Sequence, residues 1–299
     1  MSSPAFLGLG ELLWDCFPNG RLPGGAPANV AFHVQQLGLS AATVTRVGSD
    51  PLGDEICEFL QSQGLSLDLV QRDPLHDTGT VTVEPTTSGT SYTFLTDSAW
   101  DFLVPQPELI AAMQSARAVC FGTLAQRSDV SRETIHACLE AVSSDCLVVY
   151  DINLRPPFFE WDWIERSLHH AKIVKLNDDE VRTLSRMFAT GPTSDLGYAR
   201  DLLADYPKLE LVCITRGANG CLAVSRDEVV DLPGIAVQVV DTVGAGDSFT
   251  AALIQTRLAG WPLAKSLALA NRVGSLVASR PGAMPILHDE LAALRHEFE

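Results

Sequence analysis

Residues 241–247 read DTVGAGD and run directly into the apolar sequence SFTAALI. Two glycines let the backbone approach a polyanion closely, and the start of the following helix offers free N–H groups. A phosphoryl group in transfer needs such donors around its oxygens, while the attacking hydroxyl needs a base. Asp247 can be that base, and the helix dipole is expected to keep its pKa low. By itself the motif is equally compatible with a glycine turn in which Asp247 caps a helix.

The composition is that of a globular protein whose anionic ligands must bind through local donors. The chain has 299 residues, of which 46% are hydrophobic and 19% charged, enough for a substantial core. A net charge of -16 argues against nucleic acid or an anionic membrane surface as a partner. Seven cysteines form no CxxC pair and are expected to be buried free thiols in a reducing cytosol. MSSP at the start is no signal sequence, and no apolar run approaches the ~18 residues of a membrane span, so we expect a cytoplasmic protein.

Apolar strand-like runs alternate with segments of helical period, which predicts an α/β fold with a largely parallel sheet. No repeat or linker interrupts this pattern, so we predict one domain over residues 1–299. Strands are predicted at AFLGLG, AATVTRV, ARAVCFG, CLVVYDI, KIVKL and LELVCIT, and in the hairpin GCLAVS with EVVDL. Helices are predicted at about Ala28–Leu37, Pro51–Gln63, Asp129–Ala141 and Trp161–Leu168, and from near Gly246, Pro262 and His288.

One segment departs from the α/β pattern. From about Thr78 to Leu103, TGTVTVEP and TSYTFL alternate polar and apolar residues about a turn, which predicts an antiparallel hairpin. We expect this insert, over about residues 78–103, to form a small lid with a short contribution from residues 12–23.

Two N-terminal features can hold a small ligand. In LPGGAPAN, paired glycines precede a helix start, so the backbone can lie against a ligand and Asn29 can face it. GELLWD places Asp15 just past the first strand, at the edge where parallel sheets keep their sites, and its carboxylate can accept two hydroxyl hydrogen bonds. The alternatives are a capping Asn29 and an ordinary loop acid at Asp15.

Two later features can serve a nucleotide. NDDE follows the strand KIVKL, and Asn177 and Glu180 share one face of a helix's first turn, where they can act on a phosphate and a hydrated Mg²⁺. The alternative is an acidic helix start that complements the dipole. TRGANG at residues 215–220 lies between two strands and is a hairpin turn on whose backbone a nucleotide can lie.

In their order along the chain, GGAPANVA, NDDE, TRGANG and DTVGAGDSF resemble the ribokinase-like (PfkB) carbohydrate kinase family, from Gly10 to about Pro285. GELLWDCFP, GGAPANVAFH and DINLRPPFF resemble its fructokinases most. The resemblance implies a three-layer α/β/α sandwich with a mostly parallel central sheet and a small β lid. It implies an ATP-dependent kinase that transfers the γ-phosphate to a primary hydroxyl of a small sugar, with D-fructose as the first candidate.

The same resemblance implies roles for single residues. Asp247 would be the base, and the N–H groups of Gly244, Ala245 and Gly246 would form an anion hole. The sugar would be held by Asp15, Gly25, Asn29, Asn153 and Arg155, and the nucleotide by Asn177, Thr215, Gly217, Gly220 and Asn271. Glu180 would act on Mg²⁺ through water, and carbonyls near Asp241, Val243, Ala278 and Gly282 would bind K⁺.

The chain departs from the family pattern in several places. About eight residues separate Asp15 from Gly24, so the first lid contribution is short, which weakens the case for a homodimer built from interlocking lids. Val243 replaces a common Thr, but a carbonyl ligand needs no particular side chain. Trp100 stands where a small residue is usual and is expected to narrow the sugar pocket. Arg155 could serve an acid sugar or a phosphate, or pair with a neighbouring acid.

Other nucleotide-site designs fit less well. The sequence has no GxxxxGK[ST] loop and neither the HRD nor the DFG motif of a protein kinase. A dinucleotide-binding dehydrogenase would need a third glycine in GLGELL and an acid some 20 residues further on. A non-catalytic sugar or nucleoside binding module would gain nothing from Asp247. Within the family, 2-keto-3-deoxygluconate kinase, ribokinase and nucleoside kinase remain open alternatives.

Overall fold

A computed structural model describes residues 4–86, 89–187 and 194–298 of the chain. The strands in these ranges are β1 (Phe6–Leu9), β2 (Leu13–Phe17), β3 (Gly20–Gly24), β4 (Ala41–Gly48), β5 (Val70–Asp73), β6 (Gly79–Thr86), β7 (Gly89–Phe94), β8 (Ala118–Gly122), β9 (Leu147–Asp151), β10 (Ile173–Asn177), β11 (Leu211–Thr215), β12 (Cys221–Ser225) and β13 (Val229–Leu232). The helices are α1 (Ala26–Gln36), α2 (Pro51–Ser62), α3 (Pro107–Ser115), α4 (Asp129–Ala141), α5 (Trp161–Leu168), α6 (Asp178–Met187), α7 (Asp195–Asp205), α8 (Ala245–Leu258), α9 (Leu263–Ala278) and α10 (His288–Phe298).

Nine of the described strands form the central sheet, in the order β13-β12-β11-β10-β9-β8-β1-β4-β5. From β5 to β11 all neighbours are parallel, and β12 and β13 complete the edge as an antiparallel hairpin. Parallel strands bring their carboxyl ends to one edge of the sheet, which is where binding sites form. The predicted mostly parallel sheet is therefore confirmed.

Helices cover both faces of this sheet. On β1, Leu7 and Leu9 point into one apolar cluster and Phe6 points into the other, as the alternation of side chains along a strand requires. Helices α3 to α7 pack into the first cluster, and α1, α2 and α8 to α10 pack into the second. This arrangement confirms the predicted three layers.

The lid is a separate sheet with the order β3-β2-β6-β7. The predicted insert supplies β6 and β7, and a short 3₁₀ turn over Ala99–Phe102 follows them. The turn predicted between the two strands falls on residues 87–88, outside the described residues. The first lid contribution is larger than expected, because residues 13–24 supply a full antiparallel hairpin, β2 with β3, and β2 joins β6 in parallel.

Several predicted boundaries shift, and some elements were missed. Helix α1 begins at Ala26 instead of Ala28, directly after Gly25, which takes a φ of 109°. Pro27 is tolerated in the first turn, because a backbone N–H at that position would have no acceptor within the helix. Strand β5 was not predicted, because it is short and its four residues, VQRD, are mostly polar. Helices α3 and α7 were not predicted either. All seven cysteines lie in the described ranges as free thiols. Five of them are buried, as expected, but Cys16 and Cys57 are only half-buried. Among the described residues no helix is long and apolar enough to cross a membrane.

Candidate active site

The predicted site residues gather at the carboxyl edge of the central sheet. Asp151, Asn177 and Thr215 are the last residues of the adjacent strands β9, β10 and β11. The first turns of α1 and α8 pack against each other beside this edge, and they carry Asn29 and Asp247. Motifs that are 218 residues apart in sequence therefore form one site.

A hydrogen bond between Asn29 and Asp247 lies at the centre of this site. Asn29 Nδ2 donates to Asp247 Oδ2 at 2.7 Å, and the two residues are only 4% and 8% exposed. The amide oxygen of Asn29 is buried and has no partner among the described residues. A buried acceptor without a donor is costly, so this oxygen is suited to receive a ligand hydroxyl. The bond fixes the orientation of the carboxylate while leaving its other oxygen available.

The expectation of a low pKa for Asp247 was wrong. Burial, and after it the nearby charge of Asp151, raise the pKa of this carboxyl to about 6. Lys175, the Asn29 hydrogen bond and Arg155 act in the opposite direction but are outweighed. Desolvation therefore outweighs the helix N-terminus. A carboxylate with this pKa is still mostly ionised at neutral pH, and it lies close to the value at which a general base is most effective.

The glycine turn before α8 is held in a conformation that only glycine takes easily. Gly244 has a φ of 77°, and a Cβ there would lie 2.6 Å from the Cα of Ala283. The N–H of Ala245, one of the three groups assigned to the anion hole, donates to the Thr242 carbonyl at 3.3 Å, which is a long bond. An open cleft separates this turn from the lid, and it is lined by Phe17, Pro18, Asn19, Val83, Tyr92, Asp241 and Val243.

Asp15 faces the site from the lid, not from a loop after β1. It lies in the middle of β2, opposite Leu22 of β3. Its carboxylate lies against Gly24, where a Cβ would be 2.5 Å from Oδ2, and burial raises its pKa to about 6. Gly25 has a φ of 109°, and a Cβ there would collide with the carbonyl of Glu11. The glycine pair is thus required for the close approach of α1 to these two acids.

Glu11 is a site residue that the sequence reasoning missed. It is 3% exposed, and its Oε1 accepts the N–H of Ala26 at 3.1 Å at the start of α1. Its Oε2 is buried without a partner among the described residues, and burial raises its pKa to about 7. The available signal was an acid directly after a buried strand. Lys175 and Asp151, which pair at 3.1 Å, were missed although both are charges in apolar strands.

The DINLR segment contributes one cation to a group of acids. Arg155 is exposed, donates to the carbonyl of Leu154 at 3.2 Å, and lowers the pKa values of Glu11, Asp15 and Asp247 through its charge. Asn153 takes a φ of 42°, a left-handed conformation that is uncommon outside glycine.

Trp100 does not narrow the pocket as expected. It is 2% exposed and packs into the core, with the guanidinium of Arg127 3.9 Å above its ring and Gly79 against its indole nitrogen. Gly79 starts the lid strand β6, so this tryptophan packs at the base of the lid.

Asn177 and Glu180 bind each other at the start of α6. Glu180 N donates to Asn177 Oδ1 at 2.9 Å, and Asn177 N donates to Glu180 Oε2 at 2.7 Å, which is a capping box. Glu180 Oε1 also accepts the N–H of Leu154 at 2.8 Å. The described residues contain no cluster of three His, Cys, Asp or Glu side chains that could hold a metal. Both carboxylate oxygens of Glu180 are engaged by backbone N–H groups.

The residues assigned to the nucleotide differ in their availability. Gly217 has a φ of 51° and open space beside it, whereas a Cβ at Gly220 would collide with the Leu232 carbonyl, so Gly220 is required for packing. Thr215 Oγ1 is 3.4 Å from the Leu176 carbonyl, a weak contact that leaves the hydroxyl accessible to another partner. The nearby Asn271 donates to the carbonyl of Pro233 at 2.9 Å, linking α9 to the segment after β13.

The four residues assigned to K⁺ lie together but are not equally suited. The Asp241 carboxylate accepts the N–H groups of Val243 and Gly282, both at 3.0 Å. The Ala278 carbonyl already accepts from Val240 N at 2.9 Å and Asp241 N at 3.2 Å. A carbonyl has two lone pairs, so Ala278 is a poor K⁺ ligand in this arrangement, contrary to expectation.

Comparisons with known proteins agree with this geometry. The sequence matches the pfkB family carbohydrate kinase profile over residues 11–290. It is 33% identical to a fructokinase of Salmonella typhimurium, over 93% of this chain and 94% of that protein.

Solved structures resemble the whole chain. The fructokinase of Xylella fastidiosa with bound ATP superposes with a TM-score of 0.86 at 25% identity, covering 98% of each chain. The fructokinase of Vibrio cholerae O395 with bound fructose, ADP and calcium superposes with a TM-score of 0.82 at 27% identity, covering all of both chains. The chain, with its fold and site built as described above, therefore belongs to the pfkB family of carbohydrate kinases.

Proposed function

We propose that this protein is an ATP-dependent fructokinase in which Asp247 removes the proton from a primary hydroxyl of D-fructose. The observation that carries the proposal is the 2.7 Å bond by which Asn29 orients the buried Asp247 at the start of α8. The deprotonated hydroxyl attacks the γ-phosphate of ATP in line, and ADP leaves. The names of the relatives in Salmonella and Vibrio support fructose as the acceptor.

The turn before α8 receives the transferred phosphoryl group in this proposal. The N–H groups of Gly244, Ala245 and Gly246 point from a helix N-terminus, where partial positive charge stabilises the developing anion. In this proposal the unpartnered oxygen of Asn29 accepts a sugar hydroxyl. Asp15 on the lid strand β2, Gly25 before α1, and Asn153 and Arg155 after β9 also hold the sugar.

The charge of the pocket favours a neutral sugar over an acid sugar. The charge of Asp247 raises the pKa of both Glu11 and Asp15, and the charge of Arg155 lowers the pKa of all three acids. A substrate carboxylate such as that of 2-keto-3-deoxygluconate would add a fourth acid to this set. Repulsion between like charges in a partly buried site costs binding free energy, so this family alternative is disfavoured.

A substrate panel tests the proposal directly. ADP release with Mg-ATP is measured with D-fructose, ribose, tagatose, 2-keto-3-deoxygluconate and a nucleoside, and we expect kcat/KM to be highest for D-fructose. A higher value for another substrate would reassign the enzyme within the family. Absence of turnover with every sugar, together with measurable sugar binding, would support a binding module instead.

Mg²⁺ is expected to enter the site with ATP. When bound, it neutralises charge on the β- and γ-phosphates. In this proposal Glu180 holds a water of the ion and Asn177 faces the phosphates, while Thr215, Gly217 and Asn271 hold the nucleotide. Gly220 supports the turn by packing, as its contact with Leu232 indicates.

A K⁺ ion beside the anion hole is the second cofactor we propose, with the carbonyls of Asp241, Val243 and Gly282 as its ligands. The Asp241 carboxylate already draws this loop together, so its carbonyls are held near one another. We expect kcat/KM for ATP to be severalfold higher in KCl than in tetramethylammonium chloride of equal ionic strength. Equal values in the two salts would contradict the K⁺ site.

The protein is proposed to be a single cytoplasmic domain with its lid. Seven free thiols favour a reducing compartment, which cell fractionation can test. The lid sheet ends in two edge strands, β3 and β7. A homodimer that pairs these edges would protect them from aggregation, and sedimentation at assay concentration distinguishes it from a monomer.

A further inference from the structure

A buried lysine and a buried aspartate lie directly beneath the first turn of α8. Lys175 Nζ donates to Asp151 Oδ1 at 3.1 Å, and their side chains are 7% and 3% exposed. The other oxygen of Asp151 accepts from Thr250 Oγ1 at 3.1 Å, and the same hydroxyl lies 3.0 Å from the Gly246 carbonyl. A Cβ at Gly246 would lie 2.9 Å from Lys175 Nζ. These hydrogen bonds link β9, β10 and the start of α8, and the Lys175 ammonium lies close to Gly246.

A buried ion pair contributes little net stability to a fold. Both charges lose their hydration, and an apolar pair of similar volume is often as stable or more so. The other positions of β10 up to Leu176 are apolar, and Lys175 is a single charge in the sequence IVKLN. The neighbours of the pair suggest a use for it, since they are a glycine of the proposed anion hole and the proposed base.

We propose that Lys175 and Asp151 are positioning residues for phosphoryl transfer, which brace Gly246 and set the charge balance around Asp247. The proposal rests on the proposed role of Asp247 as the base. The charge of Lys175 lowers the pKa of Asp247 and the charge of Asp151 raises it, so the two effects oppose each other while the pair is intact. Losing either member alone would move the pKa of the base in a predictable direction.

Other ionisable groups also face Asp247. They are Arg155 after β9, Glu11 after β1, Asp15 on the lid strand β2 and Cys120 on β8. None of them contacts the Lys175 ammonium through a hydrogen bond among the described residues. They stay in place when the pair is changed, so a comparison of variants isolates the contribution of Lys175 and Asp151.

The test is the pH profile of kcat at saturating Mg-ATP and D-fructose. In the wild-type protein kcat falls as the pH drops through the pKa that Asp247 has in the substrate complex, because the base must be deprotonated. We expect the midpoint of this fall to rise by about one pH unit in Lys175→Met and to drop by about one in Asp151→Asn. The double variant is expected to keep a midpoint near that of the wild type, with kcat lowered roughly tenfold because Gly246 loses its brace.

Opposite shifts are the decisive result. Both single variants break the same ion pair, so a purely structural role would lower kcat in both without moving the midpoints apart. Shifts in one direction, reversed shifts, or unmoved midpoints overturn the proposal. If only one single variant folds, the direction of its own midpoint shift decides. A rise in Lys175→Met or a drop in Asp151→Asn supports the proposal, and any other result overturns it.

If neither single variant folds, the double variant decides, because it leaves no unpaired buried charge. A kcat equal to that of the wild type overturns the proposal, and a tenfold loss with unchanged KM values supports it. Failure of the proposed function itself is distinguished in the wild-type protein, as an absence of fructose-dependent ADP release.

Discussion

Replacing Asp247 with asparagine is expected to lower kcat by about three orders of magnitude while leaving the KM values for ATP and D-fructose nearly unchanged. Asparagine has the same shape and can keep the hydrogen bond to Asn29, but it cannot take a proton from the sugar hydroxyl. Steady-state kinetics of purified Asp247→Asn measure both quantities. A variant with kcat close to that of the wild type would exclude Asp247 as the base.

The same variant is expected to fold as well as the wild type. Burial raises the pKa of Asp247 above its unfolded value, so the ionised carboxylate lowers the free energy of unfolding at neutral pH. A neutral amide removes this cost, and Tm should stay equal or rise. Asp227→Asn is the matched control, because Asp227 is an exposed acid in the turn between β12 and β13. It should change neither kcat nor Tm.

Periodicity predicted the central sheet well, since its signal lies in the local sequence. Helix α4 runs over Asp129–Ala141, the range expected from its pattern. The lid hairpin of β2 and β3 was underestimated, because GRLPG contains proline and two glycines and lacks the alternation that marks a strand. Its pairing with β6 is a tertiary contact that no local pattern encodes.

Site residues that belong to a motif could be predicted from the sequence. Properties that depend on how deeply a charged group is buried could not. Asn29 and Asp247 follow from two glycine-containing helix starts, and the structure brings them to 2.7 Å. The pKa of Asp247 was mispredicted because the helix dipole is visible in the sequence but the depth of burial is not. Glu11 and Lys175 were missed for the same reason, because whether a charge beside a strand is solvated or buried depends on elements far away in the chain.

Gly244→Ala is expected to lower kcat at least a hundredfold and also to lower Tm. A non-glycine residue at a φ of 77° costs about 1–2 kcal/mol of backbone strain. The added Cβ would in addition lie 2.6 Å from the Cα of Ala283, a backbone atom that cannot simply rotate away. Either α8 or the segment at Ala283 must shift, and a displacement of about 1 Å at a reacting centre can cost roughly a hundredfold in rate.

Gly260→Ala separates the two causes, because it reproduces the strain without the collision. Gly260 has a φ of 72° at the other end of α8, and no atom lies within 4 Å of the position of its Cβ. We expect this control to lower Tm by only a few degrees and to keep the kcat of the wild type. If Gly244→Ala loses no more activity than Gly260→Ala, the turn before α8 tolerates displacement and cannot be the rigid donor of N–H groups on which the proposed transfer step depends.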